Sequence, residues 1–246
     1  MTLRAHIKAF GLISVFLTTA SAALARDVTV FAAASLRGAL DEIAATHPDD
    51  ITVSYAGSGL IARQVSQGAP ADVVVLAHPN WMDWLDERAQ LISQSRTNVA
   101  TNALVVIAHI DTPAAGTMPL ATWLKPKKIA MGQREAVPAG IYAKQWLETV
   151  GLWGDLQPNL VETDNVRLAL ALVARGDVPA GITYRSDAMS EPRVQIIHQI
   201  EPETHTPIQY PAAAITDAGR MFVTYLASPD AQAILKSHGF APRHSE

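Results

Sequence analysis

The 246-residue sequence has no cysteine. Disulfides and thiolate metal sites are therefore excluded, and so is a lipid-bearing cysteine after any leader. Stability has to come from packing, for which 49% hydrophobic residues provide ample material. A basic excess is also missing. The formal net charge is −4, a poor match for nucleic acid or for an anionic membrane surface. The eight histidines show no metal-ligand spacing, and no H-E-x-x-H, P-loop lysine or dinucleotide fingerprint is found. Internal repeats and low-complexity tracts are absent as well. Beyond the first 25 residues, no apolar run approaches the length of about 20 residues needed to cross a bilayer.

Those first residues have a layout of their own. Arg4 and Lys8 precede an apolar run, Ala9 to Ala20, and Ala23 and Ala25 provide the small residues of a cleavage site. The pattern predicts a secretory signal peptide over residues 1–25. Removing it leaves 221 residues and shifts the formal charge to −6. That length suits one large domain or two of about 100 residues.

Strand-like and helix-like segments alternate along the remaining chain, which predicts an α/β architecture with largely parallel sheets. Strand patterns run over Asp27–Ala33, Ile51–Ala56, Ala71–Ala77, Asn102–Ala108, Lys128–Gly132, Ala180–Ala188, Arg193–Ile200 and Ile208–Ile215. Helical spacing follows Ser35, Ser58, Asn80, Pro138 and Asn165, with Val166, Ala169, Leu170 and Val173 on one face of the last. Two further helices, separated by Pro229, end the chain. A looser segment with Pro and Gly, residues 109–127, marks a candidate junction between two lobes.

Several strand-to-helix junctions share one design, a small or hydroxyl residue where the helix begins. A helix start leaves backbone N–H groups unpaired and carries partial positive charge, so it attracts anions without any lysine or arginine. Ser35, after three alanines, reads as an N-cap, a nucleophile or a ligand donor. Ser58 sits between Gly57 and Gly59, which is not the G-x-S-x-G of a hydrolase elbow. With Pro138 as first helical residue, Ala139 has a free N–H. With Asp164 as cap, so has Val166. Tyr184 ends a buried strand, where α/β proteins place ligand contacts.

Taken in order, VTVFAAASL, IARQ, GAPAD, VPAGIYAK, DNVRLALALV and GITYRSDA resemble the periplasmic molybdate-binding proteins of bacterial ABC importers. The resemblance runs over nearly all of the chain after residue 25. It implies a two-lobed α/β periplasmic binding protein, each lobe a mainly parallel sheet flanked by helices, with the ligand in the cleft between. It also implies a lobe of residues 26–106 plus 212–246 and a second of residues 107–211. By the same resemblance the chain is not an enzyme and carries no cofactor. It is a monomeric receptor that takes molybdate or tungstate as transported ligand and delivers it to a membrane permease. The implied donors to the oxyanion are the hydroxyls and amides of Ser35 and Ser58, the amides of Ala139 and Val166, and the hydroxyl of Tyr184. These act as contacts to the oxyanion, without direct ligation of its metal. One departure is the Gly-Ser-Gly loop, where relatives often carry a run of serines. The competing readings are a receptor for sulfate or another small oxyanion, an exported serine hydrolase using Ser35 or Ser58, and a ferric-ion receptor.

Overall fold

The computed structural model describes residues 27–113 and 116–242, so the expected leader over residues 1–25 lies outside them. Ten strands form two five-stranded sheets among the described residues. The first sheet contains β1 (Asp27–Ala33), β2 (Asp50–Ala56), β3 (Val73–Val75), β4 (Thr97–Thr101) and β10 (Gln209–Ala214), in the order β2-β1-β3-β10-β4. The second contains β5 (Leu104–His109), β6 (Ile129–Gly132), β7 (Leu160–Thr163), β8 (Ala180–Tyr184) and β9 (Val194–Gln199), in the order β7-β6-β8-β5-β9.

The two lobes and their helix-flanked sheets match the expected architecture, but the strands are mixed. Each sheet has two parallel and two antiparallel pairings. A parallel pair needs a crossover, usually a helix, between its strands. β1, β2 and β3 have such crossovers, and so do β6, β7 and β8. β5 and β10 arrive directly from the other sheet and pair antiparallel.

Ten α-helices occur among the described residues: α1 (Arg37–Thr46), α2 (Ser58–Ser66), α3 (Pro79–Asp86), α4 (Leu120–Leu124), α5 (Pro138–Thr149), α6 (Trp153–Leu156), α7 (Val166–Ala174), α8 (Arg185–Met189), α9 (Arg220–Leu226) and α10 (Pro229–Ser237). α7 buries the face that its spacing predicted, Val166, Ala169, Leu170 and Val173. Two elements lie where no strand was read, β4 and β7. The predicted strand over Ala71–Ala77 shrinks to three residues, and the second half of Ala180–Ala188 is α8.

Only Asn102 and Ala103 separate β4 from β5, so the chain passes between sheets there, upstream of the loose 109–127 segment. It returns between β9 and β10. The expected lobe divisions at 106/107 and 211/212 would cut β5 and β10. One continuous apolar cluster holds residues of both sheets, Val30 and Val73 together with Leu104 and Ile129. Smaller clusters cover the outer face of each, Val105 and Leu170 in one case, Ile61 and Met82 in the other.

Candidate functional site

Elements of both lobes end at one small cavity. Its walls are Ala34, Ser35, Ala56, Gly57, Ser58, Ala77, Val137, Pro138, Ala139, Asn165, Val166 and Tyr184. All five residues singled out from the sequence are therefore brought together, although their positions span 150 residues. No lysine, arginine, histidine or carboxylate is among these twelve.

Each donor is delivered by a local feature of the chain. β1 ends at Ala33, and Ala34–Leu36 form a single 3₁₀ turn ahead of α1. The cap of that turn is Ala33 and its side chain makes no capping bond, so the reading of Ser35 as N-cap is corrected. The turn starts two residues early, which places Ser35 inside it with its N–H free of intrahelical partners. Of the three preceding alanines only Ala34 lines the cavity, whereas Ala32 and Ala33 are buried in β1. The Ser35 Oγ lies 3.1 Å from the Tyr210 hydroxyl.

Ser58 is the first residue of α2, capped by Gly57, and it is fully buried. Its Oγ accepts the Ala77 N–H at 3.0 Å. Because that oxygen already accepts, the hydroxyl hydrogen is left to donate. The flanking glycines do more than loosen the loop. A Cβ on Gly57 would collide with the Asp164 carbonyl oxygen, and one on Gly59 would come within 2.6 Å of the Ala136 oxygen and 2.7 Å of the Trp81 ring. Asp164 and Ala136 belong to the second lobe, so the two glycines are where the lobes touch backbone to backbone.

In the second lobe, Gln133 braces the loop before α5, its Oε1 accepting from the Glu135 and Ala136 N–H groups at 2.9 and 2.7 Å. Pro138 is the first residue of α5 as expected, which leaves the Ala139 N–H directed out of the helix start. α7 is capped by Asn165, not by the expected Asp164: the Asn165 Oδ1 accepts the Leu168 N–H at 3.1 Å. Val166 is consequently the first helical residue rather than the second, and its N–H is still free. Thr163 fixes this turn by donating to the Met131 and Asn165 carbonyls at 3.1 and 2.8 Å.

Tyr184 ends β8 and is 1% exposed. Its hydroxyl has no hydrogen-bond partner among the described residues; the Tyr210 ring packs against it at 5.9 Å, but no bond of acceptable geometry joins the two hydroxyls. A buried hydroxyl without a partner costs free energy, and here it lines the cavity. Burial, reinforced by Tyr210, Tyr142 and Asp187 nearby, raises its pKa well above the ordinary phenol value, so it remains a donor.

Next to the cavity wall, at Ala77, a contact crosses between the lobes. Tyr142 of α5 donates to the Ala77 carbonyl at 3.3 Å, and His78 stacks on the Tyr142 ring at 4.8 Å. Burial pushes His78 down to about 4, so it is neutral near pH 7. The charged pair closest in sequence to the donors is Arg167, one residue beyond Val166, with the fully buried Asp187 at 2.8 Å. Asn165, Ala77, Tyr210 and Asn102 escaped the sequence reading. Asn165 was one position from the cap assigned; the other three owe their roles to partners far along the chain.

Such a constellation, a small cavity lined by uncharged donors, suits a small anion that accepts on every side. Comparison with known proteins agrees with the architecture. The profile described as bacterial extracellular solute-binding protein matches residues 28–241. The molybdate-binding protein ModA of Escherichia coli K12 is 36% identical over 230 residues, covering 87% of this chain and 88% of that protein. Among solved structures, the substrate binding domain of a putative molybdenum ABC transporter from Clostridium difficile is 31% identical, with a TM-score of 0.68 over 89% of this chain and 99% of that one. The periplasmic molybdate-binding protein of Azotobacter vinelandii shares the fold at a TM-score of 0.77 and 22% identity, covering 88% of this chain and all of that one. Among the described residues, no helix is long and apolar enough to cross a membrane. The chain belongs to the bacterial extracellular solute-binding protein family.

Proposed function

We propose that this protein is a periplasmic receptor that captures molybdate, and tungstate with it, and delivers it as a monomer to the membrane permease of an ABC importer. Residues 1–25 act as the export signal in this reading. The lobes divide at Asn102–Ala103 and again between β9 and β10. The observation that carries the proposal is the convergence of Ser35, Ser58, Ala139, Val166 and Tyr184 on a cavity whose walls hold no formal charge. The identity to a curated molybdate-binding protein over most of both chains supports the choice of anion.

The donor set fits a fully deprotonated tetrahedral dianion. Five residues contribute seven hydrogens: two hydroxyls and two amides from the serines, two amides from Ala139 and Val166, and the Tyr184 hydroxyl. At roughly 1.5–3 kcal/mol for each bond to a charged group, their gross contribution exceeds the ~8 kcal/mol of micromolar binding. Stripping water from the dianion and closing the lobes offset the difference. Phosphate keeps a proton near neutral pH and needs an acceptor. No carboxylate lines the wall, and the Ser58 and Asn165 side-chain oxygens each already accept one bond, from Ala77 and Leu168.

Sulfate shares the charge and shape of molybdate with shorter bonds to oxygen, so cavity size has to separate them. The hydrolase reading is disfavoured because the hydroxyls of Ser35 and Ser58 bond Tyr210 and Ala77 rather than a histidine. Parallel isothermal titration with molybdate, tungstate, sulfate and phosphate tests the proposal. Molybdate and tungstate are expected to bind one per chain at micromolar concentration or below, with sulfate at least tenfold weaker. Sulfate displacing molybdate at equal concentration would replace this reading with that of a general oxyanion receptor.

A further inference from the structure

Tyr210 and Asn102 lie outside the cavity wall, yet they connect to it through one line of hydrogen bonds. Asn102 occupies the passage between β4 and β5, and Tyr210 is the second residue of β10, just after the chain returns. The Asn102 Oδ1 accepts the Ala103 N–H at 2.9 Å and faces the Ser186 N–H at 3.5 Å. Both of those partners are backbone donors, so the amide has one admissible orientation: flipping it would set N–H against N–H. Its Nδ2 then donates to the Ser186 Oγ at 2.8 Å and to the Tyr210 hydroxyl at 3.3 Å.

Between Ser35 and Tyr210 either hydroxyl can be the donor, and the Asn102 contact favours one direction. The Tyr210 oxygen accepts from Asn102, so the one hydrogen of that hydroxyl is free for Ser35, 3.1 Å away. Tyr210 is fully buried, and burial together with the nearby Asp187 raises its pKa far above the usual value, so that hydrogen is retained. With the Tyr210 hydrogen so directed, the Ser35 oxygen accepts it and the Ser35 hydrogen is left for the cavity. The Ala77 N–H imposes the same polarity on Ser58.

We propose that Asn102 and Tyr210 are positioning residues that hold the Ser35 hydroxyl as a donor and so select fully deprotonated oxyanions over protonated ones. The inference rests on the reading of the cavity as an oxyanion site. Without Tyr210's hydrogen, the Ser35 hydroxyl can rotate and accept, and a hydrogen phosphate finds the acceptor that the native site withholds.

The test is a double-mutant cycle by calorimetry on the full chain, with sodium molybdate and inorganic phosphate at pH 7. Tyr210→Phe is expected to weaken molybdate about tenfold and to narrow the molybdate-to-phosphate ratio by a similar factor. In the Ser35→Ala background the same substitution should change neither quantity, because no hydroxyl remains to be oriented. Asn102→Ala should act in the same direction as Tyr210→Phe and more weakly. Equal losses for both anions in both backgrounds would reduce Tyr210 to a packing residue and overturn the inference, as would unchanged binding in Tyr210→Phe. Neutron diffraction from deuterated wild-type crystals reads the polarity without any ligand. Deuterium on the Tyr210 oxygen pointing at the Ser35 Oγ supports the relay; deuterium on Ser35 pointing back overturns it. A wild-type protein that fails to bind molybdate would instead defeat the functional proposal, leaving the neutron result to decide the relay.

Discussion

Gly59 and Ala136 meet across the two lobes so closely that a Cβ on the glycine would lie 2.6 Å from the Ala136 carbonyl oxygen. The contact gives the Gly-Ser-Gly loop a physical reason. In the proposed site Ser58 supplies the donor, and the residues on either side have no side chain because the second lobe occupies that space. Gly59→Ala should hold the lobes apart and weaken molybdate about tenfold, since overpacking costs roughly 1–3 kcal/mol. Small-angle scattering of the molybdate-saturated variant should show a larger radius of gyration than wild type. Wild-type affinity together with wild-type compaction would remove this role.

Tyr184→Phe and Ser58→Ala are expected to separate binding from stability. The Tyr184 hydroxyl is buried without a partner, so its removal should leave the melting temperature of the unliganded protein unchanged or higher. Molybdate affinity should nevertheless fall at least tenfold. Ser58→Ala leaves the Ala77 N–H buried and unpaired, so both affinity and stability should drop, stability by about 1–3 kcal/mol. Calorimetry and thermal melts on the two variants measure the contrast.

His78 makes stability depend on pH. Its folded pKa is pushed by burial from 6.5 down to about 4, so between those values the unfolded chain binds the proton first. Stability therefore falls as pH drops from about 6.5 to 4, by ~3 kcal/mol in all. His78→Asn keeps an acceptor for the Asn80 N–H that the Nδ1 now holds at 3.2 Å, and it removes the titration. The stability difference between wild type and variant, read from urea midpoints, should shift by that amount between pH 7 and 4.

The Arg167–Asp187 pair works with the opposite slope, since burial already raises Asp187 to about 7 with Arg167 in place, and the slope should steepen once the pair is broken. Burial raises the Asp187 pKa and Arg167 opposes that rise. Arg167→Met removes the opposition, so the folded carboxyl holds its proton to still higher pH than the unfolded one. Its stability should then fall as pH rises, with a loss of roughly 3 kcal/mol at pH 8 that recovers toward pH 5. Adding Asp187→Asn should remove most of the pH 8 loss.

Much of the architecture was legible because its signals are local. β1 and β2 show in their apolar runs, α7 in the spacing of Val166, Ala169, Leu170 and Val173, and α5 in Pro138 at its start. β4 and β7 were not, because TNVAT and LVET are short and half polar, and are strands only through the neighbours they pair with. The passage between lobes hid in two residues, Asn102 and Ala103, with no linker composition to mark it.

The sequence by itself determined that neutral donors stand at helix starts, in an order that runs through both halves of the chain. Helix starts expose N–H groups whatever they face, so their chemistry can be read from residue type alone. Tertiary structure decided the rest. It placed Ser35 inside a turn instead of at its cap, moved the α7 cap to Asn165, and closed the lobes on Gly57 and Gly59. It also joined Ser35 to Tyr210 across 175 positions and Tyr210 to Asn102 across 108. Whether a serine gives or accepts a hydrogen depends on its other partner, and that partner is chosen by the fold.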